Sequence, residues 1–311
     1  MIRARAIAIL AALVALLAPG LAQASVPGVP TVSSTPITKA GYPEGPVRWR
    51  GHLYYVEYGS SRILRLDGHT PHEFRRDPAC GASALIAVPG HRLLVTCYDD
   101  NTLAVVDQHG RTAETITHDS RGRPFLGPND FARDRFGGIY FSASGVYSAG
   151  APSQGTVYYL APGGGIRPVA RHIHYSNGLA VTPDGRHLLI TAMLSHRILA
   201  YDIVPGGGLV HRRTFLRTDR IAPPASTAGP LSGPDGMKIG PDGRLYIAQN
   251  GSGRILVVDP YTRRLCATIE VAAPYVTNMA FGPHHSVYMT SSFDADHPPY
   301  PGAVYRAHLP G

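Results

Sequence analysis

Glu44, Asn129, Asn177, Asp235 and Asn278 lie far apart in the chain, yet each carries a side-chain oxygen and each opens a short apolar run. The settings are Glu44-Gly45-Pro46-Val47, Pro128-Asn129-Asp130-Phe131, Ser176-Asn177-Gly178-Leu179, Pro234-Asp235-Gly236-Met237 and Thr277-Asn278-Met279-Ala280. Brought to one place, two carboxylates and several amide oxygens form a hard, all-oxygen donor set. Such a set suits a divalent cation, calcium first, with Mg2+, Mn2+ or Zn2+ as alternatives. Without a cation, buried carboxylates would be costly. Asn-Gly and Asp-Gly pairs also make ordinary turns. The metal reading therefore requires a fold that gathers these strand starts.

An internal repeat supplies that fold. The run from Asn177 through Pro183-Asp184-Gly185 to Thr191, followed by Arg197 to Asp202, matches the run from Asp235 through Pro241-Asp242-Gly243 to Ala248, followed by Arg254 to Asp259. Each copy is a short apolar strand, a Pro-Asp-Gly turn, an alternating strand, a polar loop and a third strand ending in Asp. Looser copies run from Glu44 to Asp67, Ser83 to Asp107, Asn129 to Leu160 and Asn278 to about Leu309. Strands rich in Val, Ile, Leu and Tyr between Gly and Pro turns must stack on their neighbours to bury both faces. Six units of roughly four strands predict an all-β fold, a six-bladed β-propeller over residues 43–311, with no second domain. Residues 25–42 read as an extended segment able to add an outer strand to the last blade and close the ring. In a propeller every innermost strand begins near one end of the central channel, so the five oxygen-bearing residues are expected to converge there. Blade two offers only Ala82 or Ser83 at that position.

With these motifs in view, the chain resembles the SMP-30/gluconolactonase/LRE-like family of six-bladed propellers, also called the regucalcin family. The pieces that carry the resemblance are Pro43 to Val47, Gly127 to Asp130, Ser176 to Ala180 with Pro183 to Gly185, and Gly233 to Met237. The resemblance implies a divalent metal, usually calcium, held by Glu44, Asn129, Asn177 and Asp235. It implies a hydrolase acting on lactones, in which the metal polarises the carbonyl and Asp235 orients or deprotonates water. Sugar lactonases of the family often carry Arg two places before the blade-three Asn; here that place is Gly127, with Arg123 further upstream, so preference for an acidic sugar lactone is not expected.

Other features bound the reading. Asn278 and His174 are candidates to touch a small-molecule substrate; His172, His284 and His285 are weaker ones, and no His-Glu-x-x-His or Gly-x-Ser-x-Gly pattern is present. Insertions at Gly145–Gly155, Ile221–Ser232 and Phe293–Pro301 are expected to ring the channel mouth. Residues 1–24, with Arg3 and Arg5 ahead of an apolar run and Ala22-Gln23-Ala24 after it, read as a secretory leader, which places the mature protein in the periplasm or outside the cell. In that compartment Cys80 and Cys97, on the arms of a hairpin turning at Pro89-Gly90, are positioned to pair, leaving Cys266 as a lone thiol expected to be buried. The formal charge of +8 is spread over single Arg and Lys residues and short pairs, which predicts no nucleic-acid partner. After leader removal no segment is long enough to span a membrane, and no amphipathic seam advertises an oligomer, so a monomer is expected. The competing reading is a non-catalytic periplasmic propeller that binds a ligand or protein.

Overall fold

A computed structural model describes residues 26 to 309. The expected leader, residues 1–24, lies outside them. Six antiparallel sheets are arranged as the blades of a β-propeller. Counted from Glu44, their innermost strands are Pro43–Trp49, Ala82–Val88, Pro128–Arg133, Ser176–Val181, Gly233–Ile239 and Tyr275–Phe281.

The strands read as near-continuous apolar runs because each blade is buried on both faces. In Leu93-Leu94-Val95, Leu93 and Val95 pack against blade one while Leu94 packs against blade three. In Leu188-Leu189-Ile190 the same alternation serves blades three and five. Successive side chains of a strand point to opposite faces, so one strand feeds two inter-blade cores. The Pro-Asp-Gly turns work as expected: Gly185 takes φ +70°, its N–H donates to Thr182 O at 2.8 Å, and Asp184 Oδ1 accepts the Arg186 N–H at 3.0 Å.

The ring closes through the N-terminal segment. Thr35–Gly41 pairs antiparallel with Pro301–His308 as the outer strand of blade six. Ile37 of that strand joins Leu53, Tyr55, Leu64, Ala280 and Val304 in the core between the last and first blades. Beyond the sequence expectation, Thr31–Ser33 adds a parallel fifth strand to blade five, against Leu265–Glu270. Cys80 and Cys97 form a disulfide (S–S 2.06 Å) within the core between blades one and two. Cys266, expected to be buried, is only half-buried, because it sits near the start of the fourth strand of blade five, ahead of the residues that Thr31–Ser33 covers. Among the described residues no helix is long and apolar enough to cross a membrane.

Candidate functional site

Every innermost strand slips register against its neighbour near its start. The slips fall between Glu44 and Val47, Ala82 and Ala84, Pro128 and Phe131, Ser176 and Leu179, Pro234 and Met237, and Val276 and Asn278. Such a bulge frees a residue from the ladder and re-aims its side chain. Glu44, Ser83, Asn129, Asn177 and Asp235 are residues at these slips, and all five line one cavity of about 190 Å³. The Asn-Gly and Asp-Gly pairs are therefore bulges inside strands, not turns.

The glycines after the site residues have a packing reason. A Cβ on Gly178 would lie 2.4 Å from the Asp235 carbonyl oxygen, and one on Gly236 would lie 2.3 Å from the Asn278 side chain. Neighbouring inner strands approach so closely at this level that only glycine fits. That approach brings the functional side chains of adjacent blades together.

Two carboxylates share the cavity. Asp235 is 5% exposed; Glu44 keeps more surface, which faces the cavity. Burial pushes the Glu44 carboxyl well above the usual carboxylate range, and the charge of Asp235 pushes it further. Burial also raises Asp235, followed by the charge of Asp130, against a lowering contribution from Asn250, whose Nδ2 donates to Asp235 Oδ2 at 3.1 Å. Among the described residues no Lys, Arg or His lines the cavity to compensate them. Asn177 spends its Nδ2 on Met193 Sδ at 3.6 Å, which leaves its amide oxygen for the cavity. Two uncompensated carboxylates with amide oxygens beside them fit a hard divalent cation. Among the described residues no three His, Cys, Asp or Glu side chains cluster as a metal site, so a cation here would rest on the amides as much as on the acids.

Two sequence candidates fall elsewhere. Asn278 does not line the cavity; its Oδ1 accepts the Met279 N–H at 2.9 Å and its Nδ2 donates to Asp130 Oδ2 at 3.4 Å. The residue at the blade-six slip is Thr277, whose hydroxyl donates to Pro43 O at 2.8 Å, much as Ser83 donates to Asn129 O at 3.0 Å. The blade-six counterpart of the site residues is thus one position before the expected Asn278. His174 is half-buried away from the cavity, with its Nε2 buried and unpartnered. His172, His284 and His285 are exposed.

Sequence reasoning missed two groups. Asp130, 2% exposed, bonds Lys238 Nζ at 3.0 Å, and with Asn278 it forms a polar cross-link between the inner strands of blades three, five and six. Tyr42, Tyr58, Tyr98, Tyr147, Tyr175 and Tyr300 also line the cavity. Tyr42 and Tyr175 each precede a site residue by two positions, and Tyr147 and Tyr300 lie in two of the insertions expected at the channel mouth. Of the three insertions, the first and third supply Tyr147, Ala295 and Tyr300, and the second supplies Leu231 O as acceptor for the Tyr147 hydroxyl at 2.9 Å.

Residues 42–293 match the family described as the SMP-30/Gluconolactonase/LRE-like region. The chain belongs to this family. Regucalcin of Danio rerio is 31% identical over 131 residues, 40% of this chain and 41% of that protein. Lactonase drp35 of Staphylococcus haemolyticus is 29% identical over 230 residues, 69% of this chain and 65% of that protein. Both alignments span less than two thirds of the relative's length. Among solved structures, the calcium-binding protein regucalcin of Agrobacterium tumefaciens superimposes with TM-score 0.74 at 18% identity, covering 90% of this chain and 96% of the other, a likeness of fold. Within this SMP-30/gluconolactonase-like propeller, the four expected ligand positions thus meet in one cavity at the end of the channel where the inner strands begin.

Proposed function

We propose that this SMP-30/gluconolactonase-like protein is an exported, calcium-dependent lactonase. The observation that carries the reading is that the carboxylates of Glu44 and Asp235 face one cavity with Asn129 and Asn177 and, among the described residues, with no cationic side chain. The family and its lactonase relative support the choice of chemistry.

Glu44, Asn129, Asn177 and Asp235 would hold the cation. When bound, it supplies Lewis-acid polarisation of the lactone carbonyl and charge for the developing oxyanion. Asp235, steadied by Asn250, accepts a proton from the attacking water. The water oxygen bonds to the acyl carbon, the ring C–O bond breaks, and the proton passes to the departing alkoxide, giving the open hydroxy acid. Asn250 restrains the carboxylate at Oδ2 while it takes the proton. Tyrosine rings around the cavity exclude bulk water and strengthen every charge interaction within it.

The Cys80–Cys97 disulfide supports an oxidising compartment, in keeping with a mature protein in the periplasm or outside the cell. It acts as a monomer on a small molecule, with no nucleic-acid partner.

The test is hydrolysis of aliphatic, aromatic and sugar lactones by purified mature protein and by Asp235→Ala. Turnover by the wild type that the variant loses by at least about a hundredfold supports the reading. A protein that binds calcium yet opens no lactone would instead be a binding propeller.

A further inference from the structure

The wall of the cavity is built from six tyrosines brought in by separate loops: Tyr42 and Tyr58 beside blade one, Tyr98 from blade two, Tyr147 from blade three, Tyr175 ahead of blade four and Tyr300 from blade six. Their hydroxyls are mostly spent on the protein. Tyr58 donates to Asp99 Oδ1 at 2.7 Å, Tyr98 to Gly145 O at 3.0 Å, Tyr147 to Leu231 O at 2.9 Å and Tyr175 to the Tyr98 oxygen at 3.2 Å. Anchored by their tips, these four present ring surface to the cavity rather than hydrogen-bonding groups. The Ser83 hydroxyl is likewise engaged, with Thr96 and the carbonyls of Pro128 and Asn129.

Ring packing fixes the wall's shape. Tyr147 lies against Tyr175 with centroids 4.8 Å apart, Tyr58 meets Tyr98 edge-on at 6.5 Å, and Tyr42 meets Tyr300 edge-on at 5.9 Å. At Gly127, with φ +62°, a Cβ would stand 2.8 Å from the Tyr98 ring, so the ring holds the space where a side chain at that position would start.

A polyhydroxylated lactone entering here would bury hydroxyls against rings, and each unpaired one is costly. A flat aromatic ring would gain stacked or edge contacts instead. Resting on the lactonase reading, we propose that the cavity selects lactones that are fused to, or carry, an aromatic ring, and that Tyr98, Tyr147 and Tyr175 recognise that ring. The compact cavity favours a one- or two-ring substrate.

The experiment compares kcat/KM of calcium-loaded protein for dihydrocoumarin, a benzo-fused δ-lactone, and for glucono-δ-lactone, a polyol on the same ring size. The expected preference for the aromatic substrate is about tenfold or more. Tyr147 stands at the rim, 38% exposed, so its replacement spares the core. Tyr147→Ala is expected to cut the preference on the order of threefold to tenfold through KM, and Tyr147→Phe, which keeps the ring, to bring most of it back. Equal or better use of glucono-δ-lactone, or a Tyr147→Ala loss shared equally by both substrates, overturns the proposal. If neither lactone is opened, the hydrolase reading fails and calorimetric titration with the ring-opened acids decides. Tighter binding of 3-(2-hydroxyphenyl)propanoate than of gluconate, eroded by Tyr147→Ala, sustains the aromatic selection. Tighter or equal binding of gluconate, or binding of neither, ends it.

Discussion

Glu44 and Asp235 hold protons more tightly in the folded chain than in water, chiefly through burial and then through neighbouring carboxylate charge. A carboxyl whose folded pKa is raised makes the native state bind more protons than the unfolded one. Metal-free stability from these groups therefore falls as pH rises above the ordinary carboxylate value of roughly 4. A cation between them removes that penalty and competes with the proton. Calcium should raise Tm more at pH 7.5 than at pH 5, as read by thermal scans with and without calcium; equal gains at both pH values would disprove the linkage. Glu44→Gln removes one of the two charges, so calcium affinity by calorimetry is expected to drop on the order of tenfold or more. The residue types at this site were legible because four strand starts carried oxygen donors in one repeated setting. Asn278 was misplaced because Thr277 and Asn278 differ by a single step at a bulge, and nothing in composition marks which of two adjacent residues a bulge frees.

Blades are held in place by strands that serve two cores at once, and the inner strands approach so closely that a methyl group does not fit. Gly178→Ala puts a Cβ 2.4 Å from the Asp235 carbonyl oxygen. Overpacking of that kind costs about 1–3 kcal/mol, and here it also displaces the strand carrying Asp235. Urea denaturation should show a loss in that range together with weaker calcium binding; full stability with unchanged binding would show that the inner strands have slack. The disulfide acts on one hairpin, closing a sequence separation of 17 residues. Replacing both cysteines by serine is expected to cost about 3 kcal/mol by loop entropy, measured from the shift in urea midpoint. Strands and turns of this kind could be read from the sequence, since Pro-Asp-Gly fixes the turn and alternating apolar residues fix the faces. The insertions at the channel mouth could be read too, but not how their tyrosines pair into a wall, because Tyr42 and Tyr300 become neighbours only when the ring closes.

Closure is a property of the whole molecule: the first strands among the described residues complete the last two blades. Ile37, 8% exposed, seals the junction between blades six and one. Ile37→Ala is expected to cost about 2–5 kcal/mol, a larger loss than Val32→Ala on the parallel fifth strand of blade five, where the side chain is only partly buried. Equal losses in denaturant would mean that the seal lies elsewhere. The number of blades followed from the repeat, and the closing strand from the extended segment before Glu44; the fifth strand of blade five did not, since three residues carry no pattern of their own. A closed ring is what holds Glu44 of the first blade against Asp235 of the fifth, so the site exists only when the ring is complete. The most direct measurement is lactone hydrolysis on one preparation before chelation, after chelation and after calcium is returned. Loss of turnover with chelator and its recovery with calcium is the expected result. Turnover that persists in the metal-free protein would contradict a cation-dependent site in the central channel.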